Sequence, residues 1–184
     1  MSRSRWFDNR ERNRGEYASK EEFVSLFQSE RMALQRLALL LTANSNAADR
    51  CLALAFRECI ASSSVSKDWT LAWARRLVIR NAINLMVSGE PPLSEMDGYE
   101  GEGSFVPSAG CSEGPMEDSQ PILGLNTPDR FVFVICVLER YSIHDCALLL
   151  DKSPQDICEA RQKAINQIEQ INESSDSSLR LVMG

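Results

Sequence analysis

The stretch "YSIHDCALLLDKSPQDICEARQKAIN", Tyr141 to Asn166, decides how this chain is read. Ser142 stands ahead of a short apolar-faced run that ends at Asp151, and Ser153-Pro154-Gln155-Asp156 opens a second run. A serine hydroxyl accepts from the unpaired amides of a first helical turn, and proline suits the first helical position because an N–H is dispensable there. An acid three residues after the cap returns a bond to the cap's own amide, so Ser153 and Asp156 predict a capping box. Asp151 falls at the turn, where a left-handed backbone costs Asp less than most residues. Two short helices joined by a tight turn are helix-turn-helix grammar.

The same stretch carries acids where a helix entering a nucleic-acid groove would carry cations. The cap accounts for Asp156. Glu159 has no such role, and Cys158 and Ala160 flank it. Ser153, Gln155, Cys158, Glu159, Arg161, Gln162 and Lys163 are the side chains such a helix would present. Gln155 has the donor and acceptor needed to pair with adenine, while the arginine that most often reads guanine is missing from the helix start.

Upstream, "NTPDRFVFVICVLERYS" puts Thr127 at a cap position, Pro128 in the first turn and Asp129 at the positive end of the helix dipole. The run "FVFVICV" is β-rich, but cap signals precede it and helical segments follow, so it is read as a buried helix. Downstream, Ile157, Ala164, Ile168 and Ile171 continue the last helix, and residues 174–184 are expected to be a flexible tail.

The N-terminal half is also helical in pattern. Phe23, Leu26, Phe27, Leu34, Leu37 and Leu41 recur at helical intervals and predict one helix. After the capping and turn residues of "TANSN", Ala48, Cys51, Leu52, Ala55, Phe56 and Cys59 predict a second. A third is expected from about Lys67 to Met86, with Trp73, Ala74, Leu77, Val78, Ala82 and Leu85 on its apolar side. Three helices with short connections suggest a small bundle. The expected fold is all-α: two small helical domains, residues 21–88 and 127–173, joined by a flexible acidic linker over 89–126, with a basic arm over 1–20. The linker composition fits a plain connector or a docking segment equally well.

The formal charge of −6 is unevenly spread: +3 over residues 1–20, +2 over 21–88, −8 over 89–126 and −3 over 127–184. Affinity for a polyanion is therefore expected in the N-terminal half. There, Trp69, Arg75, Arg76 and Arg80 interleave aromatic and cationic side chains along one helix, with Trp73 at its edge. That pattern suits single-stranded nucleic acid, through backbone attraction and base stacking. It equally describes a solvated basic face whose tryptophans lie in the core.

Other functions are excluded by what is missing. The six cysteines (51, 59, 111, 136, 146 and 158) show no metal-ligand spacing and are expected to pack as reduced, inert thiols. The one histidine, His144, is two residues from Cys146, a spacing at which helical side chains do not face each other, and there is no phosphate-binding glycine loop. No enzyme, cofactor, metal or small-molecule substrate is expected. The longest apolar run, "LALLL" at 37–41, is too short for a bilayer, and the N-terminus lacks a secretory h-region, so a cytoplasmic protein without membrane contact is expected.

Taken in order, these elements resemble the extracytoplasmic-function sigma factors of bacterial RNA polymerase, over roughly Phe23–Met86 and Thr127–Ile171. In the C-terminal part, Leu125, Pro128, Arg130, Glu139, Tyr141, Ser142, Ala147, Leu150, Ser153, Ile157 and Ala164 follow the order of the family's −35-reading domain. In the N-terminal part, "NAADRCLALAFRECI" is similar to the family's polymerase-binding helix. "LAWARRLVIRNAINLM" is similar to the helix that engages the melted −10 element, with one residue of slack between Trp73 and Asn81. The resemblance implies polymerase contacts at Asp49, Arg50 and Ala53, and single-strand contacts at Trp69, Trp73, Arg75, Arg76, Arg80 and Asn81. Arg50, Ala53 and Leu54 stand where the family has an acid and a Gln-Glu pair; Cys158 and Ala160 stand where it has Lys and Arg. The implied function is transcription initiation, with core polymerase, promoter DNA and an anti-sigma protein as partners. The alternative is a degenerate sigma-like adaptor that binds polymerase or a regulatory protein without reading a promoter.

Overall fold

The computed structural model describes residues 16–62, 64–88 and 119–182; the expected basic arm through 15, the acidic linker through 118, and Cys111 lie outside the described residues. The described residues are helical, with no strand beyond one isolated bridge between Tyr17 and Ser66, so the chain is all-α. They divide into two compact units, 16–38 with 46–88, and 39–45 with 119–182.

In the first unit, α1 (Lys20–Ser29) starts at a complete capping box. The Glu22 amide donates to the Ser19 hydroxyl at 3.3 Å, and the Ser19 amide donates to the Glu22 carboxylate at 2.7 Å. The helix expected to run on to Leu41 is instead two helices. The Ser29 hydroxyl turns back onto the Leu26 carbonyl, Glu30 leaves the helical spiral at ψ 10°, and α2 (Arg31–Thr42) begins anew. Side-chain back-bonding of this kind competes with the backbone ladder, and an apolar period cannot register it. Next come α3 (Ser45–Ala61), a 3₁₀ turn (Lys67–Trp69) and α4 (Thr70–Ser88). The expected third helix is thus preceded by a tighter turn that holds Trp69.

The core of this unit buries Phe23, Phe27, Leu34, Leu52, Leu77 and Ile79 almost completely. Phe27 and Phe56 meet edge to face with ring centres 5.0 Å apart, the arrangement favoured by the ring quadrupoles. The Cys51 thiol donates to the Val78 carbonyl at 3.0 Å, and burial pushes both the Cys51 and Cys59 thiols up to about 12. At neutral pH these are small core hydrophobes, as the sequence implies.

In the second unit, α5 (Gln120–Leu123) buries Ile122, and Leu125 follows it into the core. The end of the stretch expected as linker, 119–126, therefore belongs to the folded unit. Two apolar residues suffice to seat it, too few to register in a segment dominated by Gly, Pro and acids. Helix α6 (Thr127–Phe133) is capped by Asn126 rather than Thr127: Asn126 accepts from the Asp129 amide at 3.0 Å and donates to its carboxylate at 2.6 Å. The β-rich run is helical and largely buried, but widens into a π-helical turn over Val134–Leu138. After the left-handed Arg140 (φ 59°) come α7 (Ile143–Leu150) and α8 (Pro154–Val182). The backbone of α8 stays helical to Val182, through residues expected to form a flexible tail. Buried Arg130 is the main polar anchor of the unit, donating to the Leu41 carbonyl at 3.2 Å and the Leu125 carbonyl at 3.0 Å. Leu41 lies in the last turn of α2, the part of that helix that belongs to this second unit, where carbonyls lack helical partners and carry the negative end of the dipole. Desolvation lowers the Arg130 pKa from its ordinary value.

Candidate nucleic-acid interface

The turn between α7 and α8 is built as its residues predict. Ser142 accepts from the Asp145 amide at 3.1 Å to start α7, and Asp151 ends it in the left-handed region at φ 50° and ψ 51°. Ser153 then opens α8. Its hydroxyl accepts from the Asp156 amide at 3.1 Å, and its amide donates to the Asp156 carboxylate at 3.3 Å. Cys146 and Ala147 of α7 and Ile157 and Ala164 of α8 are buried, so the two helices share a core.

Ser153, Gln155, Cys158, Glu159, Arg161, Gln162 and Lys163 are all exposed, on the outer side of α8. Their hydrogen bonds decide what they can offer a ligand. Gln155 donates to Glu159 at 3.1 Å, one turn along, and Gln162 donates to Asn166 at 2.9 Å. The Ser153 hydroxyl is taken up by the cap. The Lys163 ammonium meets the buried Asp129 carboxylate at 2.7 Å. Arg161 is exposed, and its guanidinium makes no ion pair or hydrogen bond among the described residues. Among these seven residues, a phosphate approaching α8 therefore meets one available guanidinium, one ammonium already neutralised from beneath, and the Glu159 carboxylate. Asp129 was absent from the expected interface because nothing in the local pattern links it to a lysine 34 residues on. Only the packing of α6 on α8 brings them together.

The second expected face lies on α4 and the turn before it. Trp69 is 68% exposed, and Arg76 and Arg80 are exposed one helical turn apart. Arg80 pairs with Glu58 of α3, whereas the Arg76 guanidinium makes no pair among the described residues. Arg75 is half-buried and engaged in an interaction of its own. Trp73 is half-buried with its indole nitrogen enclosed, and Asn81 is buried at 6% exposure with its amide nitrogen enclosed, neither donor having an acceptor among the described residues. The six residues thus do not form one surface: Trp69, Arg76 and Arg80 face outward, while Asn81 belongs to the interior. An eight-residue spacing carries Asn81 about 80° around the helix from Trp73, far enough to cross the boundary between surface and core.

The expected polymerase-contact residues lie together on α3. Asp49, Arg50 and Ala53 are each half-buried, and Asp49 accepts from Gln35 of α2 at 3.3 Å. His144 is exposed, and among the described residues there is no group of three His, Cys, Asp or Glu side chains placed to hold a metal. No described helix is long and apolar enough to cross a membrane. Compared with protein-family models, curated proteins and solved structures, the chain matches none of them.

Proposed function

We propose that this chain is a cytoplasmic, sigma-factor-like transcription-initiation protein that binds core RNA polymerase and promoter DNA. The observation that carries the reading is the pair α7 and α8. A Ser-capped first helix, a left-handed Asp151 and a Ser153–Asp156 capping box present the outer side of α8 to solvent. The resemblance of residues 127–171 to a promoter-reading domain supplies the identity of the ligand. The outward Trp69 and Arg76 of the first unit support a second contact, with single-stranded nucleic acid.

The pairing of Lys163 with Asp129 favours one other reading, an adaptor that binds polymerase or a regulatory protein without reading sequence. Gel filtration of the full chain with core polymerase, together with gel shifts of promoter fragments at low salt, separates the two. Co-elution with shifted fragments is the expected result. Co-elution without any shift selects the adaptor, and failure of both disproves the sigma-like role.

A further inference from the structure

We propose that Cys136 and Cys146 form a reversible thiol–disulfide site that clamps the π-helical turn to α7. The inference is independent of any nucleic-acid role. The two sulfurs are bonded in the structure, ten residues apart in sequence, with Cα atoms 6.5 Å apart, inside the range a disulfide spans. This corrects the expectation that both remain free thiols, because the chain reversal at Arg140 folds the two apolar positions onto each other.

Three features make the site exchangeable rather than part of a permanent framework. First, Cys51, Cys59 and Cys158 remain free, and Cys158 is exposed; an oxidised scaffold would not ordinarily leave an exposed thiol beside a bonded pair. Second, the intervening loop is already closed without the covalent link. The Tyr141 amide donates to the Ile135 carbonyl at 3.1 Å, and the Ser142 hydroxyl caps α7. Reduction therefore leaves the path of the chain supported. Third, the loop is suited to local opening: it holds the π-helical turn, the half-exposed Leu138 and the left-handed Arg140. Cys136 retains 8% exposure against 0% for Cys146, so exchange starts at Cys136.

The oxidant is a low-molecular-weight disulfide. The Cys136 thiolate attacks one of its sulfurs and expels a thiolate, leaving a mixed disulfide. The Cys146 thiolate then attacks the Cys136 sulfur and expels the second. The two cysteine protons end on the two small thiols, which also carry away the two electrons. Oxidation fastens the segment leading into the helix-turn-helix to the first helix of that motif, and reduction leaves the two held by packing, the Tyr141–Ile135 hydrogen bond and the Ser142 cap.

The test uses the full chain, equilibrated in mixtures of reduced and oxidised glutathione, quenched by alkylation and digested with trypsin. Cleavage after Arg130, Arg140 and Lys152 puts Cys136 and Cys146 on separate peptides, so the bond is read directly as a linked pair of fragments 131–140 and 141–152. The expected result is a linked pair that forms and disappears reversibly across the series, with Cys158 unlinked to either. The oxidised chain should also melt higher than the reduced chain, by on the order of 10 °C. Cys136→Ser should abolish both the linkage and the shift, while Cys158→Ser should keep both. No link in pure oxidised glutathione, or a link that survives excess reduced glutathione, overturns the proposal. The wild-type measurement stands whether or not the Cys136 variant folds.

Discussion

Helices α4 and α8 were both expected to meet nucleic acid, and they handle their polar side chains in opposite ways. On α8 every expected contact residue is exposed, but most are bonded to neighbours: Gln155 to Glu159, Gln162 to Asn166, and Lys163 to the buried Asp129. At α4 and the turn before it, the outward Trp69 and Arg76 keep their binding groups available among the described residues, while Trp73 and Asn81 are drawn toward the interior. Exposure and availability are thus separate properties. A charged group on the surface attracts phosphate only to the extent that a nearer counter-charge has not already neutralised it.

The comparison can be broken or sharpened by substitution. The largest effect is expected at Arg130, which is buried and donates to the Leu41 and Leu125 carbonyls, taking no part in the outer side of α8. Arg130→Ala leaves two carbonyls without their donor and a void in the core, and should destabilise the second unit by about 3 kcal/mol in urea unfolding.

Next is the double change Cys158→Lys with Ala160→Arg, which adds one cation at an exposed position of α8 and a second at a half-buried position two residues on. It should raise affinity for a promoter fragment at low salt roughly tenfold or more and steepen the salt dependence by about two counterions. No gain would show that this side of α8 does not approach DNA, leaving α4 as the face to examine.

A smaller change is expected from Asp129→Asn. It removes the carboxylate beneath Lys163 but keeps a side chain of the same size beside Asn126. Affinity should rise a fewfold, and the salt slope by about one counterion. Because the pair holds α6 to α8, stability should fall by about 1 kcal/mol at the same time. A loss of stability with no change in the salt slope would make Asp129 an architectural partner only.

Much of this arrangement is legible in short stretches of sequence. The turn between α7 and α8 depends on residues within a few positions of one another: Ser142 and Asp145, Asp151, Ser153 and Asp156. Local hydrogen bonds need no distant partner, so their geometry follows from residue type and spacing. The apolar periods of α3, α4 and α8 are legible for a related reason, since a helix must bury its apolar stripe whatever it packs against. The break at Glu30 was not legible, because the period of the core positions continues across it. The cap at Asn126 was masked by Thr127, an equally plausible cap one residue later.

The sequence by itself determined an all-helical chain and a helix-turn-helix with its caps, because these rest on contacts within about one turn. Only the tertiary structure decided that Lys163 is neutralised by Asp129, that Arg130 caps the end of α2, that Asn81 lies inside, and that Cys136 meets Cys146. Each of these depends on which helix faces which, and long-range partners leave no periodic trace in the chain. The charged residues of the stretch from Tyr141 to Asn166 divide on the same ground. Asp156 belongs to a local cap, whereas the worth of Lys163 to a ligand is set by a carboxylate that folding places beneath it.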